Sequence, residues 1–381
     1  MTDLEKEWYK LSVFVYNKEA ISEVLQYLVQ IINECDFLKN QVMISKKWQM
    51  GPHVQIIYSL EKNSLNLMDD VLQRIEEYLK IHRFMQTESY EKHMELSQKV
   101  AQLEEYRGEI SPLRQHLEII NNKMDWNEIH TIFLLDVYME IERSLSSFVC
   151  ETYNYFYGLS AKEQDIFLSK CMIILGNQQE ENDFAEGGIQ YGYMTFQSHY
   201  YGFVSQLNLN KPSEQKIFDE LQQQDVEITK NLVAKMEETV SQNIAAISQS
   251  DESLKYLALW QNTVIKMLEI YEKMLSENEI SWNENHDMNT FMVRNKNKLS
   301  QFHSDLKQSE HYMDFLNSHF FIKHRLTINA FYTMLPLFGV SPLRKHKLCK
   351  YVADSVETFY QQDYSSVMKK INQTFRKASG I

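Results

Sequence analysis

The sequence predicts an α+β fold in which a small split-βαβ-type sheet is followed by a predominantly helical remainder. Apolar positions of the first 85 residues alternate between period 2 and period 3.6, whereas period 3.6 prevails afterwards. Glycine occurs 10 times and proline 5 times in 381 residues, which indicates few tight turns and long elements. Because neither an internal repeat nor a low-complexity linker interrupts the chain, residues 1–381 are expected to form a single compact domain.

Residues 1–85 are predicted to be a β-α-β-β-α portion that holds the sheet. The predicted strands are Trp8–Tyr16, Val42–Trp48 and Val54–Leu60, and the predicted helices are Lys18–Asn33 and Leu65–Phe84. Gly51 and Pro52 mark a turn between the second and third strands. This order is that of a split βαβ unit, with helices on one face of the sheet.

After residue 85 the chain is predicted to be mainly helical. Helices are expected from Trp126 to Val149, after the capping-box sequence Ser160-Ala161-Lys162-Glu163, in a long insert over 213–277, over Met288–Phe321, and from Arg344 to Tyr360. Three glycines, at positions 187, 188 and 192, interrupt this pattern just before an aromatic segment. Loops on a rigid scaffold often carry function, so this neighbourhood is a candidate site.

The composition argues against several classes of function. The formal net charge of −13 disfavours a nucleic-acid partner, because phosphates require a basic surface. No apolar stretch approaches the roughly 18 residues of a membrane span and the N-terminus lacks signal-peptide character, so a cytoplasmic protein without a membrane partner is expected. The four cysteines form no CxxC motif and no histidine pair has metal-ligand spacing, so no metal is expected. Signature motifs of hydrolases, dehydrogenases and kinases are missing as well.

The C-terminal part of the chain has the opposite charge. Residues 321–381 contain ten Lys and Arg against three Asp and Glu, a net charge of +7 in a basic, helical portion. Such a face suits an acidic peptide, and a solvated helix surface is the alternative.

The aromatic segment contains a first constellation able to transfer protons without a cofactor. His199 can shuttle a proton near pH 7, and the hydroxyl of neighbouring Ser198 or Tyr201 can orient an amide or stabilise charge on its oxygen. The alternative is a buried, hydrogen-bonded histidine on a structural strand, where adjacent side chains point to opposite faces.

Two further constellations lie elsewhere in the chain. Arg325, Asn329 and Tyr332 share one face of a predicted helix by i, i+4, i+7 spacing, so a guanidinium, an amide and a phenol are presented together. In the hairpin, Trp48 can stack on a substrate and His53 can exchange a proton. The alternatives are a solvated helix face and a plain structural turn.

Four short motifs resemble the thiopeptide-type and lantibiotic-dehydratase C-terminal family. In the family's order they are Gly51-Pro52-His53 in the hairpin, Tyr106-Arg107-Gly108 after a helix, the segment from Gly192 to Phe203, and the Asn329 helix that ends in Gly339-Val340-Ser341-Pro342. The resemblance spans most of the chain and implies a fold related to the lantibiotic dehydratase elimination domain. Members of this family act on ribosomally made precursor peptides.

The family has two branches, and this chain resembles one of them more closely. The branch that eliminates glutamate from glutamylated Ser or Thr typically carries arginines around the hairpin, where this chain has Lys46, Lys47, Gln55 and Ile57. Guanidinium groups suit a glutamyl carboxylate, so their loss is expected to weaken its recognition. The helix motif HMxxNR likewise becomes Arg325 to Ala330, with the histidine shifted to His324. The chain looks more like the thiopeptide pyridine synthases, formal [4+2] cyclases of the thiocillin and micrococcin type.

This likeness implies a cofactor-free enzyme that joins two dehydroalanines of a precursor peptide by formal [4+2] aza-cycloaddition, closes a macrocycle and releases water and the leader peptide. The reaction needs proton transfer during an amide-to-iminol tautomerisation, and it needs two peptide ends held together. One alternative is a glutamate-eliminating lyase that uses Lys46, Lys47, Arg107 or Arg325 as a carboxylate clamp. The other is a non-catalytic helical peptide-binding adaptor that uses residues 213–277.

The resemblance also suggests roles for individual residues. The predicted catalytic residues are Ser198, His199, Asn329 and Tyr332, and the predicted substrate-binding residues are Trp48, His53, Tyr201, His324 and Arg325. Trp48 is expected to pack on the thiazole-rich substrate. Leaders in this family are commonly helical and acidic, so basic side chains of the C-terminal portion are expected to bind the leader. These predicted leader-binding residues are Arg344, Lys345, Lys347 and Lys350.

Overall fold

The computed structural model describes residues 7–39, 41–60, 65–103, 108–126, 134–177, 188–223, 225–241, 243–247, 251–277, 299–309, 311, 314 and 318–378. Contacts divide the chain into two units. The first comprises Met1–Phe156 and Tyr332–Gly339, and the second comprises Tyr157–Phe331 and Val340–Ile381. The single compact domain over residues 1–381 stays a prediction.

Within the described residues, the first unit contains a four-stranded antiparallel sheet of split-βαβ topology, as the sequence predicts. The strands are β1 Glu7–Phe14, β2 Met43–Lys47, β3 His53–Leu60 and β4 Ile119–Lys123, in the order β2-β3-β1-β4. Because β3 pairs antiparallel with both β1 and β2, these two strands run in the same direction with β3 between them. The helices are α1 Lys18–Glu34, α2 Leu65–His82, α3 Tyr90–Leu103 and most of α4 Leu135–Gly158.

The core of this unit follows from the period-2 pattern of its strands. Leu11 and Val13 of β1 lie opposite Ile56 and Val54 of β3 on one face of the sheet, and all four side chains are buried. α1 contacts β3 and buries the apolar stripe that its sequence predicts, including Leu28.

The predicted turn between β2 and β3 is confirmed, and it requires glycine. Met50 has φ 55° and Gly51 has φ 119°, both in the left-handed region. A Cβ atom on Gly51 would lie 2.0 Å from the hydroxyl oxygen of Tyr16, so the chain passes this ring without room for a side chain. The turn fixes the position of His53 as the first residue of β3.

β4 was not predicted from the sequence. It pairs with β1 alone, as an edge strand, and its sequence Ile119-Ile120-Asn121-Asn122-Lys123 becomes polar after two residues. An edge strand needs no continuous apolar pattern, so periodicity does not reveal it. The helix predicted from Trp126 begins at Leu135 within the described residues, and 127–133 lie outside them.

The second unit is helical throughout its described secondary structure. Its helices are α5 Ala161–Gly176, α6 Ile189–Gln206, α7 Pro212–Gln222, α8 Val226–Ala234, α9 Met236–Thr239, α10 Ile244–Ile247, α11 Glu252–Ser276, α12 Gln301–Gln308, the greater part of α13 His319–Met334, α14 Pro342–Tyr360 and α15 Tyr364–Ala378. The predicted capping box at the start of α5 is confirmed, because Ser160 and Glu163 each accept a hydrogen bond from the other's backbone N–H.

Three sequence expectations for this unit need correction. The segment around His199, considered as a strand, is helix α6. Among its described residues the insert over 213–277 is helical, but it consists of five helices rather than long ones throughout, and the longest of them is α11. The helix expected over Met288–Phe321 is interrupted, because α12 ends at Gln308 and α13 begins at His319, and residues 288–298 lie outside the described part.

None of the helices among the described residues is long and apolar enough to cross a membrane.

Candidate functional site

A cavity of about 360 Å³ lies within the second unit, between α6, α12, α13 and α14. Phenylalanine rings from three of these helices line it together with polar side chains. The aromatic lining consists of Phe203, Phe302, Phe320 and Phe321, and the polar lining includes Thr195, Ser198, His199, His303, His324, Arg325, Asn329 and His346. The cavity therefore offers apolar walls with a small number of hydrogen-bonding groups, which is typical of a ligand site.

A close approach of two helices sets one wall of this cavity. Gly176 at the end of α5 and Gly192 of α6 face each other so closely that a Cβ atom on Gly192 would lie 2.0 Å from the carbonyl oxygen of Gly176. The Gly192 carbonyl oxygen lies 3.3 Å from Nε2 of His324. The glycine singled out by the sequence thus acts in helix packing and in placing a cavity histidine.

The four cavity histidines are held neutral at pH 7. Burial, together with the nearby charge of Lys345, lowers the pKa of His199 to about 3. Burial lowers the pKa of His303, His324 and His346 to about 4 each. A neutral imidazole has one donor and one acceptor nitrogen, so these groups can exchange protons without being cations.

Backbone carbonyls select the tautomer of two of these histidines, because a carbonyl oxygen only accepts. Nδ1 of His346 donates to the Pro342 carbonyl at 2.7 Å, and the ring stacks on Phe203 with centroids 4.1 Å apart. Nε2 of His324 lies between the Gly192 carbonyl and Oγ1 of Thr195, so it carries the proton. Nδ1 of His324 is then a buried acceptor without a partner among the described residues.

Ser198 contacts a histidine that the sequence did not single out. Its Oγ lies 3.0 Å from Nε2 of His303, and Nδ1 of His303 lies 2.7 Å from Oγ of Ser300. Ser300 also caps α12 by accepting the backbone N–H of His303. The pattern Ser300-Gln-Phe-His303 is an N-cap signal readable from the sequence, but the contact with Ser198 joins residues 105 positions apart.

The structure brings several predicted residues together in this cavity. Ser198, His199, His324, Arg325 and Asn329 all line it, and their catalytic and substrate-binding roles stay predictions. Tyr201 lines a separate, more open groove, together with Ser300.

The other predicted residues belong to the first unit. Trp48 is half-buried at the end of the β2–β3 hairpin, and Tyr332 is half-buried near the end of α13. His53 is 4% exposed and its Nδ1 donates to the Gly51 carbonyl at 2.9 Å, while burial lowers its pKa to about 4. His53 thereby stabilises the turn that follows Trp48. Arg107, named for the alternative carboxylate clamp, lies outside the described residues.

Three of the four predicted leader-binding residues have acidic partners in the second unit. Nε of Arg344 lies 2.7 Å from Oδ1 of Asp165, Nζ of Lys347 lies 3.4 Å from Oε1 of Glu220, and Nζ of Lys350 lies 2.8 Å from Oδ2 of Asp354. These ion pairs reduce the positive potential that the sequence of the C-terminal portion suggests.

The first unit contains another titratable cluster that sequence analysis missed. Tyr138 and Glu142 are one helical turn apart on α4, and burial raises the pKa of both groups. The charge of Lys47 counteracts this shift at Glu142, and burial lowers the pKa of Lys46 to about 8. The i, i+4 spacing of Tyr138 and Glu142 on the predicted helix is the signal that could have pointed to this cluster.

Comparisons with known proteins identify the fold. No family model and no curated protein matches the sequence. A solved structure described as "Pyridine synthase, TbtD, from thiomuracin biosynthesis" superposes with a TM-score of 0.67 at 12% identity, over 93% of this chain and 99% of that chain. A second, described as "Crystal structure of TsrL", superposes with a TM-score of 0.59 at 13% identity, over 96% of this chain and 98% of that chain. This chain therefore has the same fold as both over nearly its whole length, and the fold expected from the motif resemblance is confirmed.

Proposed function

We propose that this chain is a thiopeptide-biosynthesis enzyme, a pyridine synthase that joins two dehydroalanines of a precursor peptide by formal [4+2] aza-cycloaddition. The observation that carries the proposal is the likeness to a pyridine synthase over 93% of this chain and 99% of that one. A fold alone does not fix an activity, so the motif resemblance and the chemistry of the cavity have to support it independently. Lysine, glutamine and isoleucine at the hairpin positions where the glutamate-eliminating branch has arginines add to this support.

The cavity supplies what the proposed reaction needs. One substrate amide tautomerises to an iminol, which requires a proton acceptor at nitrogen and a donor at oxygen. Ser198 and His199 are adjacent on α6 and both line the cavity, so a hydroxyl and a neutral imidazole are presented together. Asn329 is exposed at the cavity and is suited to orient a peptide amide. The phenylalanine walls exclude water and hold the apolar part of the peptide.

Two predicted residues of the first unit, Tyr332 and Trp48, keep the roles proposed for them. The Tyr332 phenol is proposed to transfer a proton, and Trp48 is proposed to pack on a thiazole of the substrate. Holding two ends of a flexible peptide at near-attack distance lowers the activation barrier by on the order of 7–11 kcal/mol in well-oriented cases. The proposed reaction requires no metal or redox cofactor.

The test is conversion of a leader-bearing peptide that contains two dehydroalanines, followed by mass spectrometry. The expected result is a ring-closed product together with the released leader. Ser198→Ala, His199→Asn and Tyr332→Phe are each expected to lower kcat by about 10²-fold or more, because proton transfer by one group contributes at least this factor. His319→Gln, at an exposed position that does not line the cavity, is the matched control. An unchanged substrate mass under conditions where the peptide binds would contradict the proposal.

The same assay separates the two alternatives. Loss of glutamate from a glutamylated precursor would favour the lyase, with Arg325 at the cavity as the remaining clamp candidate. If substitutions at Tyr332 and His199 leave function intact while charge reversals along the helices of 213–277 abolish it, the adaptor is favoured.

We also propose that α14 binds the acidic leader of the precursor. The leader has to compete with Asp165, Glu220 and Asp354 for the basic side chains, so the binding should be weak and strongly salt-dependent. Fluorescence anisotropy with a labelled leader peptide measures it. Lys345→Glu is expected to raise Kd several-fold at low salt, whereas Lys369→Glu on α15 leaves it unchanged, and equal values for both variants would refute this site.

A further inference from the structure

The second unit contains an inner cavity and an outer groove, and a short chain of hydrogen-bonded side chains connects the two. The inner cavity is lined by Ser198, and the outer groove is lined by Ser300, whose side chain is partly exposed. His303 lies between these two hydroxyls and is 1% exposed. The His303 imidazole therefore lies between the Ser300 hydroxyl at the groove and the Ser198 hydroxyl at the cavity.

The partners of His303 differ in kind from those of other buried histidines. His53, His324 and His346 each have a ring nitrogen against a backbone carbonyl, which fixes the tautomer. Both ring nitrogens of His303 have a serine hydroxyl as partner, at 2.7 Å and 3.0 Å. A hydroxyl donates or accepts with equal ease, so both neutral tautomers of His303 keep their two hydrogen bonds.

The surrounding packing fixes this arrangement. Phe302 stacks on Tyr201 with centroids 5.5 Å apart and meets Tyr364 edge-on at 5.0 Å. Oη of Tyr364 donates to Oδ2 of Asp305 at 2.8 Å, which ties α12 to α15. With the helix held on both sides, the imidazole keeps its distance to each hydroxyl, which short-range proton transfer requires.

We propose that Ser300, His303 and Ser198 form a proton relay between the outer groove and the inner cavity. In the inward direction Ser198 gives its proton to the substrate and takes one from Nε2 of His303. Nδ1 of His303 takes the proton of Ser300, and Ser300 takes one from water in the groove. The imidazole is neutral before and after the transfer, but its proton has moved from Nε2 to Nδ1. The same transfers in the opposite direction, from the cavity to the groove, return the proton to Nε2.

Such a relay answers a need of the proposed function, on which this inference rests for its substrate. With pKa values near 3 to 4, none of the four cavity histidines is a stored cationic acid at pH 7. A relay to the groove can supply a proton for the substrate oxygen and can carry away the proton removed from nitrogen. One inward and one outward transfer return the relay to its starting tautomer.

The first test needs no substrate. ¹⁵N NMR of histidine-labelled protein distinguishes the two neutral tautomers, and the relay predicts that the ring nitrogens of His303 have shifts averaged between them. Ser300→Gly removes the outer hydroxyl while glycine remains an acceptable N-cap residue. The averaging is expected to be lost in Ser300→Gly and kept in Ser300→Thr, whose hydroxyl remains. A single fixed tautomer in the unsubstituted protein would overturn the proposal.

The second test uses turnover of the dehydroalanine peptide. Ser300→Gly is expected to lower kcat at least tenfold and to leave KM unchanged within about twofold, whereas Ser300→Thr is expected to restore kcat. General acid–base steps contribute 10²–10⁴-fold to a rate, and a water molecule in place of the lost hydroxyl recovers part of this factor. Ser160→Gly removes a helix cap far along the chain from α12 and is expected to keep full kcat, which controls for the lost cap. Normal turnover in Ser300→Gly would overturn the relay and leave the proposed function standing. Averaged His303 shifts without any turnover would overturn the proposed function and leave the relay standing.

Discussion

The close approach of α5 and α6 makes Gly192→Ala the most informative single substitution in this fold. The new methyl group would meet the Gly176 carbonyl oxygen at 2.0 Å and the Gly176 Cα at 2.8 Å, both backbone atoms that no rotamer change can move. Because carbon contacts are optimal near about 3.5 Å, the two helices would have to separate by roughly 1 to 1.5 Å. That shift also carries the Gly192 carbonyl away from Nε2 of His324.

The expected loss of stability combines two opposing terms. Overpacking of this kind costs about 3 kcal/mol, at the upper end of the usual range because backbone rather than side chain is in the way. Alanine is better than glycine inside a helix by about 1 kcal/mol, which leaves a net loss of about 2 kcal/mol. For a unit of about 200 residues, each kcal/mol lowers Tm by about 2–4 °C, so a fall of about 4–8 °C is expected.

Differential scanning calorimetry measures this fall, and Gly158→Ala in the same unit is the matched control. A Cβ atom on Gly158 meets nothing within 4 Å, so the same substitution there should leave Tm unchanged or raise it slightly. The reasoning is refuted if both glycine variants melt together. A ¹⁵N shift of His324 in Gly192→Ala alone would show that the packing change reaches the cavity.

Two further predictions concern stability. Trp260→Phe should lower the free energy of unfolding by about 2–3 kcal/mol. The substitution removes the 2.9 Å hydrogen bond from Nε1 to the Cys171 carbonyl and leaves a void at a fully buried position. A urea midpoint equal to that of the unsubstituted protein would contradict this prediction. Stability should also fall as the pH drops from about 6.5 to about 4, because His53 and the cavity histidines have lowered pKa values in the folded protein and the unfolded chain takes up protons that the folded chain does not. Each such histidine contributes about 1.4 kcal/mol per pH unit in this window, so Tm measured against pH should have a smaller slope in His53→Gln than in the unsubstituted protein. Equal slopes in the two proteins would be inconsistent with this prediction.

Local features of the fold were readable from the sequence because short-range physics determines them. The capping box at Ser160 and Glu163 depends on hydrogen bonds across three residues. The turn at Gly51 depends on a backbone conformation that glycine adopts without strain. In both cases the chemistry that selects the structure is contained in a few consecutive residues.

Features of the fold that depend on neighbouring elements in the packed structure could not be predicted from the sequence. The polar strand β4 exists because β1 offers an open edge, and α6 is a helix although its aromatic composition is compatible with a strand. His53, expected at a substrate, is held against the Gly51 carbonyl beneath the hairpin. Three basic residues of α14, expected to be available for a leader, have carboxylate partners: Asp165 and Glu220 from other helices of the unit, and Asp354 one turn further along α14.

The sequence by itself determined the α+β class and the order of the first strands and helices, and it offered Ser198 and His199 as candidate site residues, since these follow from periodicity and residue type. Only the tertiary structure decided that Ser198 meets His303, 105 positions away, and that the other partner of His303, Ser300, lines a separate groove. The physical reason is that hydrogen-bond partners, burial and the resulting pKa values belong to the packed helices rather than to any segment of the chain.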